Sequence, residues 1–283
     1  MVHTLPLADH QHAVIEHFSL GYWIAGLAYV VAVVGSVVGL SCARQSAFVP
    51  DGARRQRWLL MAAVSIGGVA VWLMHFIAML GMRVPGTIAR YDLGWTAFSA
   101  VLSIGATYLA LLIVGRTVRW SRLVPAGFLM GLAVATMHYT GMMAVGIQGS
   151  MSYDPLLVAA SVAIAVVASV VALWFTLVLE AKSTRFVGGL IAGVAVVGMH
   201  YTGMAAMTAD VDPTAAVPTG FEVFTFLFPI LIAGMLALAV PITALMLAPE
   251  RTDADTPLDD LDTDELDAVV AETPEQRPPA VTV

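Results

Sequence analysis

The sequence predicts an all-α membrane protein with seven transmembrane helices, built from three two-helix repeats and one extra helix. The first observation is composition: the 283-residue chain is 59% hydrophobic and only 12% charged, with a mean hydropathy of +0.86. Ordinary soluble domains carry about 25% charged residues. The second observation is that seven apolar runs are each long enough to cross a bilayer. The third is a histidine phrase that recurs at a nearly constant interval within these runs.

The seven predicted spans divide the chain into three regions. Residues 1–17 form a histidine-containing N-terminal segment, 18–248 form the membrane domain, and 249–283 form an acidic tail. We predict that the tail is disordered apart from a short helix near 258–271. The first apolar run is full length and follows no basic segment, so it is predicted to be a retained span rather than a cleaved signal. The predicted spans lie near 20–40, 58–81, 95–115, 123–145, 156–179, 187–208 and 223–247.

The distribution of lysine and arginine predicts the orientation of the chain. Of the 13 basic residues, eleven lie in the odd-numbered loops or the C-terminal tail, and only Arg83 and Arg90 lie in even-numbered loops. Cytoplasmic loops of membrane proteins are enriched in lysine and arginine. The N-terminus is therefore predicted to face outward and the C-terminus to lie in the cytoplasm.

Charged residues and cysteine also exclude several classes of function. The middle of each predicted span lacks carboxylates, which counts against a proton pump or an ion-coupled transporter. The body of the chain has no basic patch of the kind that binds nucleic acid. The single cysteine, Cys42, excludes an internal disulfide and a cysteine-rich metal site.

The histidine phrase marks an internal repeat. Its copies are Met74-His75-Phe76, Met137-His138-Tyr139-Thr140-Gly141-Met142 and Met199-His200-Tyr201-Thr202-Gly203-Met204. The histidines are 63 and 62 residues apart, which is the length of two spans with their loops. The repeating unit is therefore a helix pair that is used three times, with span 7 as an addition. Repeats of the same orientation predict pseudo-threefold packing about an axis along the membrane normal.

Helical geometry places the same residue types in a stripe on one face of each even-numbered span. At about 100° per residue, the positions seven before and four after each histidine share its face. Glycine occupies the first position and methionine the second in all three copies; these residues are Gly68, Gly131 and Gly193, and Met79, Met142 and Met204. Because glycine lets helix backbones approach closely, each stripe is predicted to face other helices. All three histidines are predicted to lie at one depth, near the outer edge of the hydrocarbon.

Imidazole and thioether groups together indicate a transition-metal site. Thioethers favour Cu(I), and imidazole suits copper, zinc, iron and nickel. We therefore predict a copper ion, with ligands drawn from His75, His138, His200, Met79, Met142 and Met204 and, one residue before each histidine, Met74, Met137 and Met199. The methionines at +4 rank above those at −1 by geometry. The side chains expected to support these ligands through hydrogen bonds are Tyr139, Tyr201, Asp92 and Asp154.

Each part of this hypothesis has a structural alternative. An intramembrane histidine often hydrogen-bonds to a neighbouring helix, and duplication would repeat that role three times. Methionine is a common filler of apolar helices. Asp92 and Asp154 stand at the beginning of spans 3 and 5, where helix N-capping is the default role. Four further histidines, His3, His10, His12 and His17, belong either to a mobile tail or to a segment that gathers metal, and His17 could fold over the site.

The repeated phrase resembles the MHYT-domain family of bacterial integral membrane sensors. The resemblance covers about residues 18–247, and the name motif is complete in two of the three copies. In the first copy, Phe76 and Ile77 replace tyrosine and threonine. The resemblance implies a multi-pass protein of the bacterial inner membrane that binds copper through methionine, histidine and tyrosine near the outer face. It also implies sensing of oxygen, carbon monoxide or nitric oxide.

The function predicted from these observations is that of a membrane sensor and not of an enzyme. The loops contain no nucleophile–base pair, phosphate loop or nucleotide motif. Many members of the family carry cytoplasmic signalling domains, whereas an acidic tail follows span 7 here, so the resemblance implies a separate cytoplasmic signalling partner. The alternatives are a copper-handling membrane protein without signalling, a haem protein that uses two of the histidines, and a purely structural subunit. Lipid is an expected partner and nucleic acid is not.

Overall fold

The computed structural model describes residues 11–248. The predicted acidic tail with its short helix, and the histidines at positions 3 and 10, lie outside the described residues. Within 11–248, seven helices are long and apolar enough to cross a membrane, as predicted. The spans, which keep these numbers below, are Trp23–Ala47, Ala53–Met79, Leu93–Val114, Trp120–Met143, Pro155–Val178, Lys182–Ala205 and Val223–Leu247.

Spans 1 to 6 form a closed ring of helices. Each span packs against its neighbours in the chain, and span 6 packs back against span 1. Span 2 also contacts spans 4 and 6. Span 7 packs on span 2, where Phe224 and Leu227 lie close to Leu73 and Phe76, and most of its surface is exposed. The ring therefore brings the three histidine-bearing spans together and leaves span 7 at the side of span 2.

Span 2 is not a regular α-helix. Its central ten residues, Val64–Leu73, are π-helical and end directly before Met74. π-Helical turns are rare and occur frequently at functional sites. The hydroxyl of Ser103 in span 3 donates a 2.7 Å hydrogen bond to the carbonyl oxygen of Gly67, inside this stretch. A π turn contains more residues than an α turn, so faces counted at 100° per residue do not apply in the first repeat.

The glycines that precede the histidines lie at helix contacts, but they do not face the same helices as the histidines. A Cβ at Gly131 would lie 2.8 Å from the backbone nitrogen of Val166 in span 5. A Cβ at Gly193 would lie 2.8 Å from Val33 in span 1. In span 2 the tightest glycine is Gly67 rather than the predicted Gly68, because of the π-helical stretch. The predicted single stripe is therefore divided: about 10 Å of helix rise separates each glycine from its histidine, and the neighbouring helix differs at the two depths.

Two small antiparallel sheets, which were not predicted, lie at the end of the ring that carries the histidines. One has the strand order β1-β5-β4 and the other pairs β2 with β3. The strands are β1 (Gln11–Ala13), β2 (Arg90–Tyr91), β3 (Val145–Gly146), β4 (Gly149–Tyr153) and β5 (Met207–Val211). Strands β3 and β5 begin where spans 4 and 6 end, so backbone groups that leave the helices find partners at once. We call this end of the ring the sheet end.

The opposite end of the ring carries the basic loops and is called the arginine end. Arg44 lies 3.5 Å from Glu180, which joins the loops after spans 1 and 5. Arg116 lies 3.3 Å from Asp51 and donates a 2.6 Å hydrogen bond to the carbonyl oxygen of Val49. These contacts place the three most basic loops beside one another, as their positions in the sequence predicted.

A segment before span 1, residues 11–19, runs across the sheet end and is called the N-terminal strap. Its strand β1 pairs with β5. Further along, Glu16 and Arg83 exchange backbone hydrogen bonds of 2.9 and 2.8 Å. The backbone N–H and the hydroxyl of Ser19 both donate to the carbonyl oxygen of Gly81, each at 2.9 Å. Hydrogen bonds to β5, Arg83 and Gly81 therefore hold the strap at three places along its length.

A candidate metal centre formed by three histidines

His75, His138 and His200 meet inside the ring and form what we call the histidine triad. The Nδ1 atom of His75 lies 3.1 Å from Nδ1 of His200 and 3.2 Å from Nδ1 of His138. The ring centroids are 5.0, 5.0 and 5.1 Å apart, so the imidazoles form a nearly equilateral triangle. Each residue is only 1% exposed. Convergence of the three histidines, which the repeat only suggested, is a property of the structure.

The triad is a suitable arrangement for a cation. A neutral imidazole has one N–H and one lone pair, so three facing Nδ1 atoms cannot all be satisfied by hydrogen bonds to one another. A cation at the centre would accept all three lone pairs. The candidate ligand atoms lie within 4.8 Å of one another, and two of the separations, 3.1 and 3.2 Å, suit nitrogens bound to one ion at about 2.0–2.1 Å.

The outer edges of two of these imidazoles pack on glycine. A Cβ at Gly141 in span 4 would lie 2.5 Å from Nε2 of His75, and a Cβ at Gly203 in span 6 would lie closer still to Nε2 of His138. Each glycine follows the histidine of its own span by three residues, so spans 4 and 6 each supply one imidazole and a seat for another. This role of Gly141 and Gly203 was not predicted from the sequence, although both glycines are part of the repeated phrase.

The Nε2 atoms of the three histidines have a different environment from the Nδ1 atoms. In the part of the chain that the structure describes, all three are buried and have no hydrogen-bond partner. A histidine that served only to join helices by hydrogen bonds would be expected to use such an atom. The triad instead directs its three Nδ1 atoms toward one another.

The predicted methionines fall into two groups. Met79, Met142 and Met204, four residues after the histidines, are buried and share one apolar cluster at the sheet end. Two further methionines, Met82 and Met207, belong to the same cluster. The methionines that directly precede the histidines, Met74, Met137 and Met199, are also buried but lie outside that cluster. Coordination by any of these thioethers stays a prediction.

The predicted supporting side chains have other partners. The hydroxyl of Tyr139 lies 2.7 Å from the hydroxyl of Ser161 in span 5. The hydroxyl of Tyr201 is buried without a hydrogen-bond partner among the described residues, and its ring contacts Phe18 of the strap at 5.1 Å between centroids. Neither tyrosine hydroxyl has a hydrogen bond to the triad.

The two aspartates cap helices, which is the structural alternative considered for them. Asp92 accepts a 2.8 Å hydrogen bond from the backbone N–H of Trp95 at the beginning of span 3. Asp154 accepts hydrogen bonds from the backbone N–H groups of Leu156 and Leu157, at 2.8 and 3.0 Å. A side chain that accepts from the first turn satisfies donors that the helix leaves free.

The N-terminal strap brings a fourth histidine toward the triad. His17 is half-buried, and its Nδ1 atom is enclosed without a hydrogen-bond partner among the described residues. The ring of the next residue, Phe18, lies 5.1 Å from that of Tyr201, which directly follows His200. Partial burial lowers the pKa of His17 below its usual value. Ile15 of the strap joins the methionine-containing cluster. A role of His17 over the site stays a prediction.

Comparison with known families adds an independent observation. The sequence model described as "Bacterial signalling protein N terminal repeat", MHYT, matches residues 68–126 and 131–189. This chain belongs to the MHYT family. The two matched MHYT segments begin at Gly68 and Gly131, the glycines seven residues before His75 and His138, so the family repeat coincides with the repeat seen in the sequence.

Similar MHYT proteins are signalling proteins of greater length. The chain is 38% identical over 189 residues to the bifunctional diguanylate cyclase/cyclic di-GMP phosphodiesterase MucR of Pseudomonas aeruginosa, covering 65% of this chain and 27% of MucR. It is 30% identical over 206 residues to the cyclic di-GMP phosphodiesterase NbdA of that organism, covering 70% and 26%. It is 28% identical over 218 residues to the signalling protein YkoW of Bacillus subtilis, covering 74% and 27%.

The chain thus spans about a quarter of the length of the curated MHYT relatives that it matches. No solved structure matches it. Seven apolar helices and membership of the MHYT family make it a multi-pass protein of the bacterial inner membrane. Its relatives place this membrane domain in signalling.

Proposed function

We propose that the chain is a sensor domain that holds one copper ion in the histidine triad. The observation that carries this proposal is the convergence of three buried imidazoles, in which Nδ1 of His75 lies 3.1 Å from Nδ1 of His200 and 3.2 Å from Nδ1 of His138. Burying three imidazoles in an apolar bundle is costly. A bound cation would offset that cost, because it would be coordinated by the lone pairs that otherwise face each other.

The surroundings of the triad support copper over other cations. Met79, Met142 and Met204 lie one helical turn beyond the histidines, and thioethers favour Cu(I). The three histidines are the one group of three or more histidine, cysteine or carboxylate residues in 11–248 with metal-ligand geometry. A haem fits these residues less well, because nitrogens 3.1 Å apart leave no space for a macrocycle between them. When bound, a copper ion would supply a coordination position for a small ligand.

The proposed orientation places the triad near the outer face. The arginine end would face the cytoplasm under the positive-inside rule, and the sheet end with the strap would face outward. Oxygen, carbon monoxide and nitric oxide are the proposed ligands. We propose that the chain itself is not an enzyme and that it signals through a cytoplasmic partner. MucR and NbdA are named for cyclic di-GMP turnover, so cyclic di-GMP signalling is the proposed output of that partner.

Metal analysis of the purified protein tests this proposal. After loading with Cu(I) and desalting, the wild-type protein is expected to retain one copper per chain, because three buried nitrogens share one ion. The His75→Ala, His138→Ala and His200→Ala variants are each expected to lose at least about 10-fold in affinity. His12→Ala is the matched control, since it removes a histidine that is not part of the triad. Retention of copper by all three triad variants, or none in the wild type, would contradict the proposal.

The role of the methionines is tested separately by substitutions that preserve volume. Met79→Leu, Met142→Leu and Met204→Leu together are expected to weaken Cu(I) binding while leaving Zn(II) binding by the triad nearly unchanged, because thioethers favour the soft ion. Competition with a coloured Cu(I) chelator measures the change. Met130→Leu, a buried methionine of span 4 outside the sheet-end cluster, is the control. If the triple variant and the control bound Cu(I) with equal affinity, Met79, Met142 and Met204 would not be ligands.

A further inference from the structure

Two apolar cavities of the ring share part of their lining. The central cavity, of about 40 Å³, lies on the side of the triad that is nearer the arginine end. The lateral cavity, of about 400 Å³, lies between spans 5 and 6. The residues that line both cavities are Ala168, Ala172, Phe175, Ala192 and Ala195. These shared residues lie between the gap that separates spans 5 and 6 and the centre of the ring, and we call the two cavities together the passage.

The inner end of this passage lies next to the triad, on its arginine-end side. Val71, Val134 and Val196 line the central cavity, and each precedes one of the three histidines by four residues. Four residues of helix rise about 6 Å. Met199, the residue before His200, also lines the cavity. A molecule in the central cavity would thus be about one helical turn from the imidazoles.

The outer end of the passage opens on the lipid-facing surface of the ring. Val167 of span 5 and Ile191 of span 6 line the lateral cavity and are 63% and 49% exposed. Alanines line the passage on both spans and have side chains too short to close the gap between the helices. The opening faces hydrocarbon rather than water, because it lies in the middle of two membrane-spanning helices.

The lining determines which molecules could enter. Apart from Ser36 and Ser169, every residue around the central cavity is apolar. Its volume of about 40 Å³ exceeds the roughly 10–15 Å³ that one water needs, but a buried water also needs two to four polar partners. A dry apolar cavity of this kind binds apolar guests such as xenon. Ions and polar metabolites would lose their hydration without compensation.

We propose that this passage conducts a small uncharged molecule, of about the size of a diatomic gas, from the bilayer to the triad. The inference rests on the proposed function only for the copper ion that the molecule would meet at the inner end. Under this proposal the metal and the apolar ligand reach the triad by different routes. The metal enters from the sheet end, where the strap and the methionine cluster lie, and the apolar ligand enters from the bilayer between spans 5 and 6.

Xenon binding to the metal-free protein tests the cavity without reference to copper. The probe is xenon gas, observed by ¹²⁹Xe NMR on protein in lipid nanodiscs. The Ala168→Phe variant is expected to lose the saturable xenon site, because Ala168 lines both cavities and a phenyl ring there would occupy space in them. Ala159→Phe is the matched control, since Ala159 is an exposed residue of span 5 that lines neither cavity. Absence of saturable binding in the wild type, or equal binding in both variants, would overturn the cavity assignment.

The rate of carbon monoxide binding to copper-loaded protein tests the passage itself. After flash photolysis, Ala168→Phe is expected to rebind carbon monoxide from solution on the order of 10-fold more slowly than Ala159→Phe, with equal copper content in the two variants. The smaller substitution Ala192→Val repeats the test if the phenylalanine variant fails to fold. Equal rebinding rates at equal copper content would overturn the route. Absence of copper in the wild type would contradict the proposed function, whereas the xenon measurement would still decide whether the cavity exists.

Discussion

Gly203→Ala is expected to displace His138 and to disable the metal site, although the substitution adds only one methyl group. The new Cβ would lie 2.9 Å from Cδ2 and 3.3 Å from Cε1 of His138, and nearer still to Nε2. The ring cannot retreat toward the centre, because its Nδ1 atom is already 3.2 Å from that of His75. We expect a loss of at least about 10-fold in Cu(I) affinity, measured by chelator competition.

Gly198→Ala provides the matched control for this experiment. Gly198 lies in the same span, five residues away, and an added Cβ there would have no neighbour within 4 Å. Alanine is the better helix former, so the control is expected to keep its Cu(I) affinity and to unfold at an equal or slightly higher temperature. If Gly203→Ala bound Cu(I) as tightly as this control, the seating of His138 on glycine would be of no consequence.

Gly131→Ala is expected to destabilise the whole ring by separating spans 4 and 5. The added Cβ would meet the Cα of Val166 and would lie 2.8 Å from its backbone nitrogen and 2.9 Å from the carbonyl oxygen of Ala165. Because these are backbone atoms, no side-chain rotation can relieve the overlap. Overpacking of this kind typically costs about 1–3 kcal/mol. We expect a clear fall in the midpoint of thermal unfolding, measured in lipid nanodiscs.

The same substitution at an open position separates packing from helix propensity. Gly105→Ala in span 3 places a Cβ where no atom lies within 4 Å, so its unfolding midpoint is expected to stay at or above that of the wild type. A Gly131→Ala protein that unfolds at the same temperature as Gly105→Ala would show that spans 4 and 5 do not need the close approach.

The seven spans and the common level of the three histidines were predictable from local sequence because the relevant forces act over short segments. Hydrocarbon thickness determines the length of each apolar run, and a duplicated phrase carries its histidine to the same helical position in every copy. Asp92 and Asp154 were likewise interpretable, since capping involves only the next three residues. The alternatives weighed for these two aspartates concerned distant partners, which local sequence does not specify.

The faces of span 2 were not predictable in the same way. The prediction assumed about 100° per residue throughout, but Val64–Leu73 is π-helical. A regular α-helical register cannot describe this stretch, in which Ser103 of span 3 donates a hydrogen bond to the carbonyl oxygen of Gly67. That partner comes from another span, so the sequence of span 2 alone contains no signal for it. The strands at the sheet end were missed for a similar reason, since each depends on pairing with a distant segment.

Local composition and repetition thus determined the number of spans, the common level of the three histidines and the family to which the chain belongs. Tertiary structure alone decided that the imidazoles meet through Nδ1, that Gly141 and Gly203 pack against His75 and His138, and that alanines of spans 5 and 6 line a cavity between these spans. The physical reason is the distance along the chain between the residues that interact. Burial and helix formation depend on residues within a few turns, whereas a metal centre or a cavity depends on which atoms of different helices come within 3 to 4 Å.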